Sequence, residues 1–237
     1  DYVVIGEASQ LNIKIGQRGR GEIVLETFGK PCHSANPEKG INAVYKMAKV
    51  IEAIRTLEPT HHPVLGDGIL ELTDIKSAPY PGASVVPEYC RATYDRRLLV
   101  GETKESVLAP IQELLDKLMA EDPQLKAKVS YAVGKEQCYT GNEITGERFF
   151  PGWLYDEKDE FVQDVKKELE GMGYTPEITQ YNFCTNGSHY AGEAGIKTFG
   201  LGPSKENLAH TVNEYIEIDQ LTKVTDCYYG VMKALLK

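Results

Sequence analysis

Between residues 18 and 140 the hydrophobic period switches repeatedly, and the order of the switches leaves few folds open. Residues 21–28 alternate, with Ile23, Leu25 and Thr27 sharing one face, the pattern of a half-buried strand. Ile41, Val44, Tyr45, Ala48, Ile51 and Ile54 then fall at helical spacing, which predicts an amphipathic helix over 41–57 that Glu58-Pro59 ends. Strands are predicted over 69–75 and 85–98, separated by the turn-forming Pro79-Tyr80-Pro81-Gly82. A second helix covers 103–120, with Val107, Leu108, Ile111, Leu114, Leu115 and Leu118 as its stripe and Glu102 and Glu105 placed to meet its N-terminal dipole. A last strand covers 129–133. Strand, helix, strand, strand, helix, strand is the order of a ferredoxin-like (βαββαβ) unit.

The flanks speak a different language. Residues 2–5 form a continuous apolar run stopped by Gly6-Glu7-Ala8-Ser9, the pattern of a doubly covered parallel strand. Residues 142–155 read as loop-rich. A helix over 159–172 ended by Gly173, strands over 178–183 and 197–201, a short helix over 190–194 and a helix over 219–236 read as doubly wound α/β pieces. The expected organisation is an α/β host over 1–17 and 141–237, interrupted by an inserted domain over 18–140. The chain opens inside a strand with no initiator methionine, so a fragment whose front half lies elsewhere is expected.

Composition narrows the partners. A formal charge of -9 with no basic stripe argues against nucleic acid, whose phosphates need a basic face. No apolar run is long enough to cross a bilayer, and the first residues lack the features of a signal peptide. Five scattered cysteines without a C-x-x-C pair suit a reducing cytoplasm.

Three places carry polar groups where a binding site would lie. The loop Gly202-Pro203-Ser204 to Glu214 leaves the end of a predicted strand, where open α/β sheets place ligands, and it holds the lone His210 between Glu206 and Glu214. A neutral imidazole there can bind a divalent metal, and the carboxylates can orient it or the substrate. Glu7 also sits at a strand end, where by itself it reads as a solvated loop carboxylate. Alternation puts Arg91, Asp95 and Arg97 on one face of the 85–98 strand, an unusual set for a plain edge whose simplest reading is a salt-bridged outer surface.

Five segments together resemble the co-catalytic zinc amidohydrolases that include acetylornithine deacetylase, succinyl-diaminopimelate desuccinylase, aminoacylase and glutamate carboxypeptidase. Within that family the chain looks most like the branch of selenium-metabolism hydrolases. Gly6-Glu7-Ala8-Ser9 is similar to the family's G-E-P-S turn, which implies Glu7 as a zinc ligand. Residues 29–43 resemble the signature G-x-x-x-H-x-A-x-P-x-x-G-x-N-A of the lid domain, which implies that His33 acts in the partner subunit's site as a catalytic hydrogen-bond donor to the oxyanion. Gly82-Ala83-Ser84 with Tyr94-Asp95-Arg96-Arg97 resembles the family's G-x-N and F-D-x-R pair, which implies substrate contacts from Ser84, in the place of the usual asparagine, and from Arg97, whose fork suits a carboxylate. Thr185-Asn186-Gly187-Ser188 resembles the loop lining the substrate pocket, so Asn186, Gly187 and Ser188 are substrate-binding candidates. The loop ending Ala209-His210-Thr211-Val212-Asn213-Glu214 matches the family's A-H-x-x-N-E, which implies His210 as the ligand of the second metal.

The resemblance implies a partial zinc-peptidase-like catalytic domain, an inserted lid and dimerisation domain, and a homodimer. It also implies two zinc ions per site, with cobalt or manganese as alternatives, activating a water against a small carboxylated amide or peptide. The family's H-x-D and Glu-Glu segments do not occur in this chain. The expectation is therefore an amide hydrolase in the full-length protein. The rival reading is a catalytically inactive lid and dimerisation module with a partial scaffold, and a third is another metal-dependent reaction on the same scaffold.

Overall fold

A computed structural model describes residues 1–236. Strand β1 (Tyr2–Ile5) is followed by β2 (Ile13–Gln17), every residue of which is buried, and by the ten-residue β3 (Gly19–Phe28). Helix α1 (Ala43–Ile54) starts two residues later than its apolar pattern suggests, because the Asn42 side chain accepts the amides of Val44 and Tyr45 and caps it. The short pair β4 (His61–His62) and β5 (Gly66–Asp67) leads into β6 (Ile69–Ala78) and β7 (Tyr89–Leu98). Helix α2 (Lys104–Glu121) opens on a reciprocal cap between Thr103 and Ser106, and β8 (Lys126–Tyr131) closes the unit.

These strands pair in the order β8, β3, β7, β6, antiparallel at every junction, which is the ferredoxin-like arrangement the periodicity predicts. Both helices bury their stripes on one sheet face, where Ile23, Leu25, Cys90, Ala92 and Leu98 meet Met47, Val50, Ile111 and Leu115. The stripe Ala43, Met47, Val50, Ile54 returns every three to four residues, so one helix face alone is apolar.

Beyond β8 the loop-rich expectation for 142–155 gives way to structure. Strands β9 (Val133–Gln137) and β10 (Glu143–Glu147) form a hairpin, and β11 (Phe149–Phe150) returns to pair with β3. The hairpin left no hydrophobic signature because every residue of β10 is exposed. Phe149 folds back into the core of the ferredoxin-like unit, against Tyr131.

The second sheet is built around β2. It pairs with β12 (Trp153–Leu154), with β13 (Ile178–Tyr181), and at one point with β14 (Lys197–Gly200), and β14 in turn carries β1 in parallel. Helices α3 (Glu160–Gly171) and α4 (Ile218–Leu235) cover it, with Phe161, Val165, Leu169, Cys227 and Val231 packing on Ile13, Ile15 and Phe199. Two readings change here. The central strand β2 was not foreseen, and β1, expected to be doubly covered, lies at the sheet edge among the described residues, with Tyr2 exposed and only Ile5 buried. No helix among the described residues is long and apolar enough to cross a membrane.

Truncating Leu25, which is 1% exposed, to alanine is expected to lower unfolding free energy by about 2–5 kcal/mol in a denaturant titration. The same change at Tyr45, 75% exposed, is expected to stay within about 0.5 kcal/mol.

Candidate functional site

Because β1 and β14 run parallel, with Ile5 opposite Gly200, their C-terminal ends coincide and both following loops leave the sheet at one place. Ser9 buckles the two loops together. Its hydroxyl donates to the Gly202 carbonyl at 3.1 Å and accepts the Gly202 amide at 2.9 Å, while Leu11 N–H donates to the same carbonyl and Gln10 N–H to that of Ser204. Only glycine fits at 202, since a Cβ there would sit 2.2 Å from the Glu7 carbonyl oxygen. Gln10, Leu11 and Ser204 all adopt positive φ, strain that the interlocked turns hold in place.

Glu7 therefore stands exposed at the head of this junction and His210 farther along the second loop, also exposed. His210 is itself left-handed at φ 61°, and its backbone amide donates to Glu214 Oε2 at 3.0 Å. Glu214 thus fixes the His210 backbone rather than its ring. Glu206 does not orient the imidazole either, because Lys14 claims it.

Lys14 lies on β2 and is 9% exposed. Its Nζ is 2.7 Å from Glu206 Oε1, donates to the Gln180 carbonyl at 3.2 Å and stands 5.3 Å above the Tyr181 ring. Asn182 donates to the other Glu206 oxygen. The Tyr181 hydroxyl donates to the Glu7 carbonyl at 2.9 Å, and burial, helped by the charges of Glu7 and Glu206, holds its pKa well above the usual phenol range. Both loops are thereby tied to Tyr181 and Lys14. Neither residue stood out in the sequence: a lysine between two isoleucines resembles a solvated position until β2 is known to be central.

A second polar centre lies along the same strand. Gln17, fully buried, donates to Thr185 O and Ser188 Oγ and accepts from the Thr185 amide and hydroxyl, the latter at 2.6 Å. It holds the loop 184–188 by both ends of its amide. Ser188 is consequently buried and turned into the fold, Gly187 is packed against Trp153, and Asn186 alone of the three remains exposed. Burial pushes the Cys184 thiol up in pKa, while its hydrogen bond with Ser188 and the guanidiniums of Arg97 and Arg20 act in the opposite sense.

Arg97 and Arg20 of the ferredoxin-like unit thus lie within electrostatic range of Cys184 in the loop 184–188. Arg97 and Arg20 share Asp95, with Nε to carboxylate distances of 2.9 and 2.7 Å. Arg20 also lies 3.9 Å from Glu22, which Arg148 approaches at 3.6 Å, so three guanidiniums share two carboxylates and one positive charge is in surplus on the sheet face away from the helices. Hydrogen bonding to Asp95 raises the pKa of Arg20 further, so the surplus persists at any ordinary pH.

His33 and Ser84 are gathered elsewhere. His33 bridges to Val85, and Ser34 N–H donates to Ser84 O at 3.0 Å. His33 Nδ1 accepts the Ala35 amide at 3.1 Å, which assigns the ring proton to Nε2 and leaves that N–H exposed. This pair sits beyond the Tyr89 end of β7, whereas Arg97 lies at the other end of a strand about 30 Å long at ~3.3 Å per residue. Other members of the same segment are structural: Asn42 caps α1, and a Cβ at Gly29 would lie 2.1 Å from Ile41 O and one at Gly40 2.6 Å from Cys32 Sγ.

The structure thus joins the Glu7 and His210 loops, brings Arg97 to the 184–188 loop, and sets His33 with Ser84 apart from both. Carboxylate and imidazole are suitable donors for a divalent metal, but among the described residues no group of three or more His, Cys, Asp and Glu could hold one. The residues present therefore do not by themselves make a metal centre.

Comparison with known proteins identifies the inserted unit and the fold. Residues 15–123 match the peptidase dimerisation domain model, M20_dimer. The uncharacterized protein YgeY of Escherichia coli (strain K12) is 33% identical over 217 residues, covering 90% of this chain and 52% of its own. Succinyl-diaminopimelate desuccinylase of Coxiella burnetii is 25% identical over 242 residues, covering 100% and 59%. Aminopeptidase PepT of Bacillus cereus superposes with a TM-score of 0.72 at 20% identity, covering 100% of this chain and 57% of that one. The Bacillus subtilis protein YXEP, described as a dinuclear metal binding peptidase from the M20 family, superposes with a TM-score of 0.64 at 12% identity, covering 99% and 56%. The chain therefore carries an M20-type peptidase dimerisation domain, set in the mixed α/β fold of the M20 peptidases. It spans between half and three-fifths of the relatives it matches.

Replacing Lys14 by alanine is expected to cost about 2–3 kcal/mol in a denaturation experiment, because it strands the largely buried Glu206 carboxylate. The double change Lys14→Met with Glu206→Leu is expected to recover most of that loss.

Proposed function

We propose that this chain contributes to a metal-dependent hydrolase of amide bonds, of the deacylase or carboxypeptidase type, acting on N-acyl amino acids or small peptides. The observation that carries the reading is the Ser9–Gly202 junction, which ties the turn bearing Glu7 to the loop bearing His210 at one pair of strand ends. The relatives support it, with a desuccinylase among the sequences and a dinuclear metal binding peptidase among the folds.

In this reading Glu7 and His210 supply one carboxylate and one imidazole to a site completed by sequence outside the chain. Zinc is the metal the donors suit, two ions per site, with cobalt or manganese as alternatives. Arg97 holds a substrate carboxylate with its surplus charge, supported by Arg20 and Asp95, and Asn186, Gly187 and Ser188 shape the pocket wall beside it. Residues 18–140 serve as lid and dimerisation domain between catalytic parts at 1–17 and 141–237. His33, with its exposed Nε2–H, and Ser84 act from that lid on the partner subunit's substrate, since each lies a strand's length from Arg97 of its own chain. The protein works as a cytoplasmic homodimer of the selenium-metabolism hydrolase branch. The second reading, that this chain alone is an inactive lid and dimerisation module, is favoured for the isolated chain because among the described residues no three metal donors stand together.

Hydrolysis of N-acyl amino acids by the full-length protein is expected to fall at least about 100-fold in His210→Ala, and about 10²–10³-fold in His33→Ala. Full activity in His210→Ala sinks the assignment. Mixing the two inactive variants is expected to restore about a quarter of the activity, because half of the re-formed dimers carry one intact site of two. No recovery refutes the action of His33 across the dimer. The isolated chain is expected to retain no stoichiometric zinc by mass spectrometry.

A further inference from the structure

Between α1 and β6 the chain makes an excursion that neither core requires. Strands β4 and β5 pair as a small hairpin, His61 opposite Asp67, that is fastened at its base to the ferredoxin-like unit. There the Gly68 amide donates to the Thr60 carbonyl at 2.8 Å. The buried Arg96 guanidinium donates to Thr60 Oγ1 at 3.1 Å, to Glu102 Oε1 at 2.6 Å and to the carbonyls of Ile69 and Arg97. The hairpin is also closed by its own side chains. His61 Nδ1 lies 2.6 Å from Asp67 Oδ1, and His62 Nδ1 accepts the amides of Val64 and Leu65.

Its far side is fastened to the second sheet. Gln180 Nε2 donates to the Val64 carbonyl at 3.3 Å, and Arg18 donates to the Asp67 carbonyl at 2.9 Å and to the Asn182 carbonyl at 3.4 Å. Leu65 is 6% exposed yet belongs to neither hydrophobic core, so the hairpin buries it apart from both. Gln180 and Asn182 are also the residues that hold the second loop. The Gln180 carbonyl accepts from Lys14, and Asn182 donates to Glu206, which Lys14 binds as well. Contacts therefore run unbroken from Arg96, the neighbour of Arg97, through the hairpin to Glu206 on the loop that carries His210.

We propose that the β4–β5 hairpin is a strap that sets the placement of the His210 loop relative to Arg97, with Arg18 and Gln180 as its positioning residues. The chain crosses between the two sheets at Gln17-Arg18-Gly19 and again at Phe150-Pro151-Gly152-Trp153. These crossings lie against each other, since a Cβ at Gly19 would sit 2.4 Å from the Gly152 nitrogen. Two units joined at one point swing about it, and a second fastening through Gln180 removes that freedom. The strap rests on contacts within this chain, and only its bearing on catalysis rests on the hydrolase reading.

Hydrogen exchange of the purified protein, followed by mass spectrometry, tests the strap without any assay of activity, so its failure and that of the hydrolase reading are separate results. Gln180→Met keeps the length of the side chain and the carbonyl that Lys14 needs, and removes the donor. It is expected to speed exchange about threefold in peptides covering 61–67 and 204–210, and the pair Arg18→Ala with Gln180→Met about tenfold. Peptides within α3 and α4 are expected to keep their rates. Arg55→Ala, which breaks an exposed pair on α1 outside the hairpin, is expected to leave both segments unchanged. Faster exchange in 61–67 alone overturns the coupling to the His210 loop. Equal acceleration in α3 and α4 assigns the effect to global stability and overturns it too, and no acceleration in either segment overturns the strap itself.

Discussion

A single serine hydroxyl, donating to and accepting from the backbone of Gly202, joins segments separated by 193 residues. The group is small enough to be enclosed and bifunctional enough to leave no polar atom of that glycine unpaired, which is the condition for burying two loop ends together. Much else around the second sheet leans on this joint. Tyr181 reaches the Glu7 carbonyl because the first turn is held there, and Lys14 reaches Glu206 because the second loop is. The strained backbone at Gln10, Leu11 and Ser204 persists because interlocking hydrogen bonds over-determine it.

Strand β2 is the second constraint, and it is an odd central strand. It presents Ile13 and Ile15 to the helices and places Lys14 and Gln17 toward the functional loops, each in a buried position with a complete set of partners. A buried polar side chain that satisfies several groups at once specifies one arrangement of its neighbours, because any shift leaves unpaired donors in a low-dielectric interior. Lys14 governs the His210 loop in this way and Gln17 governs the 184–188 loop. Two loops that carry the candidate chemistry are thus positioned from one strand.

The ferredoxin-like unit was the more legible half. Its helices announce themselves by apolar stripes and its strands by alternation, because one face of each element meets a single core. Glu7, Arg97, His33 and His210 were legible as motif members, and the resemblance already set Glu7 with His210 and His33 apart, while the contacts that hold their loops were not legible. Strand β2 was missed because a five-residue run carrying a lysine, a glycine and a glutamine lacks the composition of a buried strand. The β9–β10 hairpin was missed because solvent on both faces removes any period. The doubly covered reading of β1 failed because a continuous apolar run reports hydrophobicity, while cover depends on which strands arrive beside it.

What the sequence determined by itself is therefore the set of elements with a one-sided apolar pattern, the ferredoxin-like order of the lid, and the residue types available for chemistry. Those follow from local periodicity and from the donor and charge chemistry of single side chains. Only the tertiary structure decided that Ser9 meets Gly202, that Lys14 and Gln17 are buried partners, that Arg97 stands beside the 184–188 loop, and that His33 lies a strand's length away. The reason is physical: each of these contacts joins residues far apart in the chain, and their pairing is set by which buried polar groups must find partners when the two cores close.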